Sequence, residues 1–101
     1  MQEMTYYPEV RCEVQEGGLM PNGITVTLRD EQGRRQFIQV TRGLINRHGD
    51  EDYLAVGFVE IDRRGRRVLV EFPAEADSGA NRMWVGFNSL LRVAASTEVS
   101  A

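Results

Sequence analysis

Two-residue alternation of apolar and polar side chains runs through most of this chain and leaves it few folds to choose from. Val10, Cys12 and Val14 alternate with Arg11, Glu13 and Gln15. Ile24, Val26 and Leu28 alternate with Thr25, Thr27 and Arg29, and Ile38 and Val40 with Gln39 and Thr41. Val68, Val70 and Phe72 share one face, as do Met83, Val85 and Phe87. Side chains of a strand point alternately to its two faces, so each run offers one apolar side to a core. The stretch Tyr53 to Ile61 is apolar on both faces. Leu54, Val56 and Phe58 lie on one face, and Tyr53, Ala55, Val59 and Ile61 on the other. This pattern suits a long central strand covered on both sides, or one that bends at Gly57 and serves two sheets.

The connections sharpen the reading. Asp30-Glu31-Gln32-Gly33-Arg34-Arg35 and Asp62-Arg63-Arg64-Gly65-Arg66-Arg67 both spell Asp-x-x-Gly-Arg-Arg between alternating runs. Asp at the first position can accept bonds from backbone N–H groups further on, and Gly at the fourth tolerates positive φ. Both are predicted hairpins. Only the turns match, so this is no solenoid repeat. Pro21-Asn22-Gly23 and His48-Gly49-Asp50 mark two more turns, and Pro73 to Asn81 a longer loop. Helical spacing is almost absent. Asn88-Ser89-Leu90-Leu91 reads as one capped turn, and Arg42 to Asn46 as another short one.

Five or six short strands with a turn every dozen residues predict an all-β fold. For a chain of 101 residues a small antiparallel β-barrel is favoured, because closure removes exposed edges. The order across residues 24–92 is strand, hairpin, strand, irregular link, long strand, hairpin, strand, loop, strand and one helical turn after Met83-Trp84-Val85-Gly86-Phe87. That order resembles the Src-homology-three-like small barrel in architecture. The acidic aromatic motif and tandem Trp of the peptide-binding members are absent, so the resemblance carries over no functional residue. A single domain over 1–101 is expected, with an ordered barrel at about 9–93 and frayed ends at 1–5 and 94–101.

Composition narrows the chemistry. All twelve basic residues are Arg, so no Schiff-base or phosphate-loop Lys exists. Cys12 and His48 are the only residues of their kinds. Cys12 sits at an inward position and reads as a small hydrophobe; a nucleophile would need His48 beside it. His48-Gly49-Asp50-Glu51-Asp52 offers metal-ligand chemistry without the spacing of a calcium loop, and reads as a solvated turn. No metal and no cofactor is expected. The start Met1-Gln2-Glu3-Met4 lacks a basic-then-apolar signal, and Tyr53 to Val59 is far too short to span a bilayer. A cytoplasmic protein is the expectation.

Three groups of residues are site candidates. Arg34 and Arg35 on one hairpin, and Arg63, Arg64, Arg66 and Arg67 on the other, present guanidinium forks suited to phosphate. Set against this, solvated turns also guard sheet edges, and a net charge of −3 weighs against a general nucleic-acid binder. Trp84 shares its strand face with Gly86, which leaves room beside the indole for a partner, with Tyr53 or the Tyr6–Tyr7 pair as company. Asp77, Ser78, Asn81 and Arg82 could bind a small ligand on a rim, or cap their own loop. No catalytic trio is visible. The expectation is a non-enzymatic binding or assembly module, engaging an unknown protein partner or itself, for example through strand Val10 to Val14. The alternative is a nucleic-acid-binding module using the Arg turns.

Overall fold

The computed structural model describes residues 4–17 and 21–94. Nine strands appear among the described residues: β1 (Met4–Glu16), β2 (Gly23–Arg29), β3 (Arg35–Thr41), β4 (Ile45–His48), β5 (Glu51–Ala55), β6 (Gly57–Asp62), β7 (Arg67–Glu71), β8 (Arg82–Gly86) and β9 (Leu90–Ala94). Two single 3-10 turns, Arg42–Leu44 and Phe87–Ser89, stand where the short turns are predicted. The fold is therefore all-β, and every strand pair is antiparallel.

The strands form two sheets, ordered β3-β2-β1-β5-β4 with β9 also on β1, and β6-β7-β8. Neither sheet is closed, so the expected barrel is not shown; nine strands in two open sheets replace five or six in one ring. The long stretch from Tyr53 takes the second of its two predicted forms. It serves both sheets, breaking at Val56 between β5 and β6. The break falls one residue before Gly57, where the Val56 N–H donates to the Pro8 carbonyl at 3.0 Å. One hydrophobic cluster takes side chains from both sheets, with Val10, Ile24, Val26, Leu28, Ile38, Leu54, Val70 and Val85 sealed at its centre. These are the inward positions of the alternating runs.

β1 is the organising strand. It pairs with β9 through Met4–Tyr7 and Val10, with β5 through Glu9–Cys12, and with β2 through Glu13–Glu16. Strand Val10 to Val14 is paired along its length within its own sheet, with β5 through Cys12 and with β2 from Glu13. Of the ends predicted to fray, residues 1–3 and 95–101 lie outside the described residues, while Met4 and Ala94 are paired.

Candidate functional site

The two Asp-x-x-Gly-Arg-Arg turns meet. The Glu31 N–H donates to the Trp84 carbonyl at 3.0 Å, so the β2–β3 turn lies on the edge of β8. Arg67 ties the two turns together. Its Nη1 donates to Glu31 Oε2 at 2.8 Å, its Nε donates to Asp62 Oδ2 at 3.0 Å, and its guanidinium carbon stands 4.2 Å from the centre of the Trp84 ring. Arg67 faces Gly86 across the β7–β8 ladder, and a Cβ on Gly86 would stand 3.0 Å from Asn88 Oδ1. The Trp84 ring is thus covered by Arg67, while the space beside Gly86 meets Asn88. Trp84 is half-buried, with Arg67 over its ring, and lines a cleft with Glu31, Arg34 and Arg82; the cation–ring pairing is of a kind worth about 1 kcal/mol.

The six candidate arginines divide by partner. Arg34 Nε donates to Asp30 Oδ2 at 2.8 Å, and Arg67 holds Glu31 and Asp62. Arg35, Arg63, Arg64 and Arg66 make no salt bridge among the described residues. Arg66 lies over Phe87 at 5.5 Å, and Arg35 over Phe37 at 5.9 Å. Burial alone would raise the Asp30 carboxyl, but bonds from the Arg34 N–H, the Arg34 guanidinium and the Gln32 N–H outweigh it and hold it below its ordinary value. The Gly65 N–H, then the Arg67 guanidinium, hold the Asp62 carboxyl low in the same sense.

The remaining candidates fall elsewhere. Tyr53 is buried in β5 of the first sheet, its hydroxyl donating to Glu51 Oε1 at 3.3 Å, and Trp84 stands in β8 of the second sheet. The Pro73–Asn81 loop is bound to β3. Ile38 bridges to Ala76, the Asp77 N–H donates to the Phe37 carbonyl, and Ser78 Oγ donates to Gln36 Oε1 at 2.6 Å. Ser78 Oγ also accepts the Ala80 N–H at 3.3 Å, the Asn81 carbonyl accepts the Phe72 N–H, and Arg82 donates to Glu71 at 3.0 Å. These polar groups serve the loop and its neighbours. Cys12 lines a polar cleft with Arg11, Arg29 and Asp52. Burial, then Asp52 and Glu13, push its thiol up to about 12, the opposite of an activated nucleophile. His48 bonds Glu9 at 3.2 Å instead. The described residues contain no group of three or more His, Cys, Asp or Glu placed to hold a metal ion.

Alternation missed one surface. A cleft lined by Tyr6, Tyr7, Pro8, Phe58, Ile61, Val68, Val70 and Leu90 opens between β1–β9 and β6–β7. Phe58 is 59% exposed and Tyr7 46%, the two most exposed large apolar side chains described. The reason is a register shift between Phe58 and Glu60 that leaves Val59 as an extra residue. Strict alternation puts Phe58 and Ile61 on opposite faces. The bulge brings both into the cleft, opposite Val70 and Val68. That face belongs to the core side of the second sheet, where Val68 and Val70 are buried. The signal was present in Gly57-Phe58-Val59, a glycine beside an apolar pair, but it marked an irregularity without saying which side chain it turned.

No protein-family model matches this chain, and neither curated proteins nor solved structures give a significant match. No helix among the described residues is long and apolar enough to cross a membrane.

Proposed function

We propose that this chain is a non-enzymatic binding or assembly module, its hairpins ordered in the manner of a small barrel, that associates with a second copy of itself through the cleft around Phe58. One observation carries the reading: Phe58 stands 59% exposed beside a cleft walled by apolar and aromatic groups. Contiguous apolar surface of this kind is uncommon on a monomer and favours association. The strand that presents it, β6, is a sheet edge with no fully buried residue. Aromatic side chains contribute much contact area for little lost freedom, which suits Phe58 and Tyr7 as anchors.

Sedimentation velocity from micromolar to millimolar protein tests this. A concentration-dependent dimer is expected, and Phe58→Ser should abolish it while leaving the urea midpoint nearly unchanged, since the side chain is already largely solvated. A strict monomer at millimolar concentration would remove the self-assembly reading.

A further inference from the structure

The joined turns concentrate charge in a way the chain's average conceals. Residues 29–35 and 62–67 hold seven of the twelve Arg and three of the fifteen acidic residues, a net of +4. The rest of the chain holds five Arg against twelve acids, a net of −7. Even with Glu60 counted at the turn, basic groups outnumber acidic ones by seven to four. The molecule is 47 Å long, whereas charges in physiological salt are screened over about 8 Å. The overall charge of −3 therefore does not decide what this end attracts.

The three carboxylates of the turns are already engaged. Asp30 holds Arg34, and Glu31 and Asp62 both hold Arg67. What remains outward on the β6–β7 turn is Arg63, Arg64 and Arg66, all exposed, with no carboxylate within salt-bridge distance among the described residues. Arg66 is further constrained. Its φ is 56°, its carbonyl accepts the Phe87 N–H at 3.0 Å, and its guanidinium lies over the Phe87 ring. The β2–β3 hairpin repeats the pairing of cation and ring, with Arg35 over Phe37, which is 38% exposed.

We infer that the joined turns form a binding site for single-stranded nucleic acid, separate from the Phe58 cleft. Arg63, Arg64 and Arg66 contact successive phosphates as planar, permanently charged donors. The ring of Phe37 offers a face to an unstacked base, and stacking of this sort tolerates any sequence. The aromatic component favours a single strand, because the bases of a duplex have no free faces to offer.

Fluorescence anisotropy with labelled oligo-dT and oligo-U of about twenty nucleotides, in low salt, tests the site. Saturable binding is expected, with log affinity falling against log salt at a slope near −2, as about three phosphate contacts on a single strand require. The triple variant Arg63→Ala, Arg64→Ala, Arg66→Ala should bind at least about tenfold more weakly, with its circular dichroism and urea midpoint unchanged. Phe58→Ser should bind as the parent does, which separates this site from the self-association reading. Absence of binding, equal binding by the folded triple variant, or tighter binding to a duplex or to phosphatidylserine vesicles would overturn the inference.

Discussion

The two turns that share Asp-x-x-Gly-Arg-Arg use their glycine differently. In the β2–β3 turn Gly33 takes φ 84° in open space, and its N–H donates to the Asp30 carbonyl. Here glycine is wanted for its backbone, as predicted. In the β6–β7 turn the left-handed residue is Arg66, with φ 56°, and Gly65 is not in that region. A Cβ on Gly65 would stand 2.5 Å from Asp62 Oδ2 and 3.1 Å from its Cγ. Glycine is needed there so that the carboxylate can fold over the turn and receive the Gly65 N–H at 2.9 Å. The same six-letter pattern closes five residues between Arg29 and Arg35, but four between Asp62 and Arg67. A motif can thus fix that a turn forms while the strand register fixes which residue bears the unusual backbone.

The largest difference between the turns should come from their aspartates. The Asp30 side chain is only 10% exposed and accepts the Gln32 N–H, the Arg34 N–H and Arg34 Nε. Asp30→Ala should destabilise the protein by about 2 kcal/mol in urea unfolding, since several partners are left unmet. Asp62→Ala, at a more exposed site with fewer bonds, should lower the midpoint less. Equal losses would erase the distinction.

The glycines test the mechanism more finely. Gly33→Ala should cost about 1 kcal/mol, from backbone conformation alone. It should keep most of that effect when Asp30 is already Ala. Gly65→Ala should lose most of its effect in an Asp62→Ala background, because the obstructing carboxylate is gone. A double-mutant cycle on each pair measures this coupling directly. Additivity at Gly65 would show that close approach is not why glycine is there.

The smallest effect is on pH dependence. Both carboxyls titrate below their ordinary value of 3.8 in the folded chain. Lowered folded values mean that the unfolded chain takes up protons first as pH falls. Their stabilisation is therefore complete well above pH 3.8 and is lost progressively as acid carries the chain through the folded values. Stability measured from neutral pH into this range should fall less steeply in Asp30→Asn than in the parent. An unchanged slope would mean that Asp30 binds protons alike in both states.

What could be read from the sequence follows the same division. Periodicity located Val10, Ile24, Val26, Leu28, Ile38, Leu54, Val70 and Val85 in the core, because burial of one strand face is a local property. It also allowed that the Tyr53–Ile61 stretch would serve two sheets. Sheet order was not legible, since a strand's own pattern does not name its partner. That β1 would pair with β2, β5 and β9 in turn has no local signature. The surroundings of the candidate residues were hidden for a related reason. Whether Trp84 is free depends on Arg67 reaching across from the next strand, and whether Phe58 is exposed depends on one extra residue in β6. The arginines were legible as a cluster, but which of them retain uncompensated charge required knowing that the turns touch.

The ladder between β1 and β9 has a consequence for how the chain comes together during synthesis. Met4 lies opposite Ala94, so β1 must wait for β9, which is synthesised well after it. The hairpins between them close over short spans and can form as they emerge, whereas this pairing closes nearly the whole chain and carries the greatest entropic cost of contact formation. Until β9 arrives, one edge of β1 from Met4 to Tyr7 is without its ladder. In the interval between the synthesis of β1 and that of β9, the unpaired edge of β1 is open to wrong pairing.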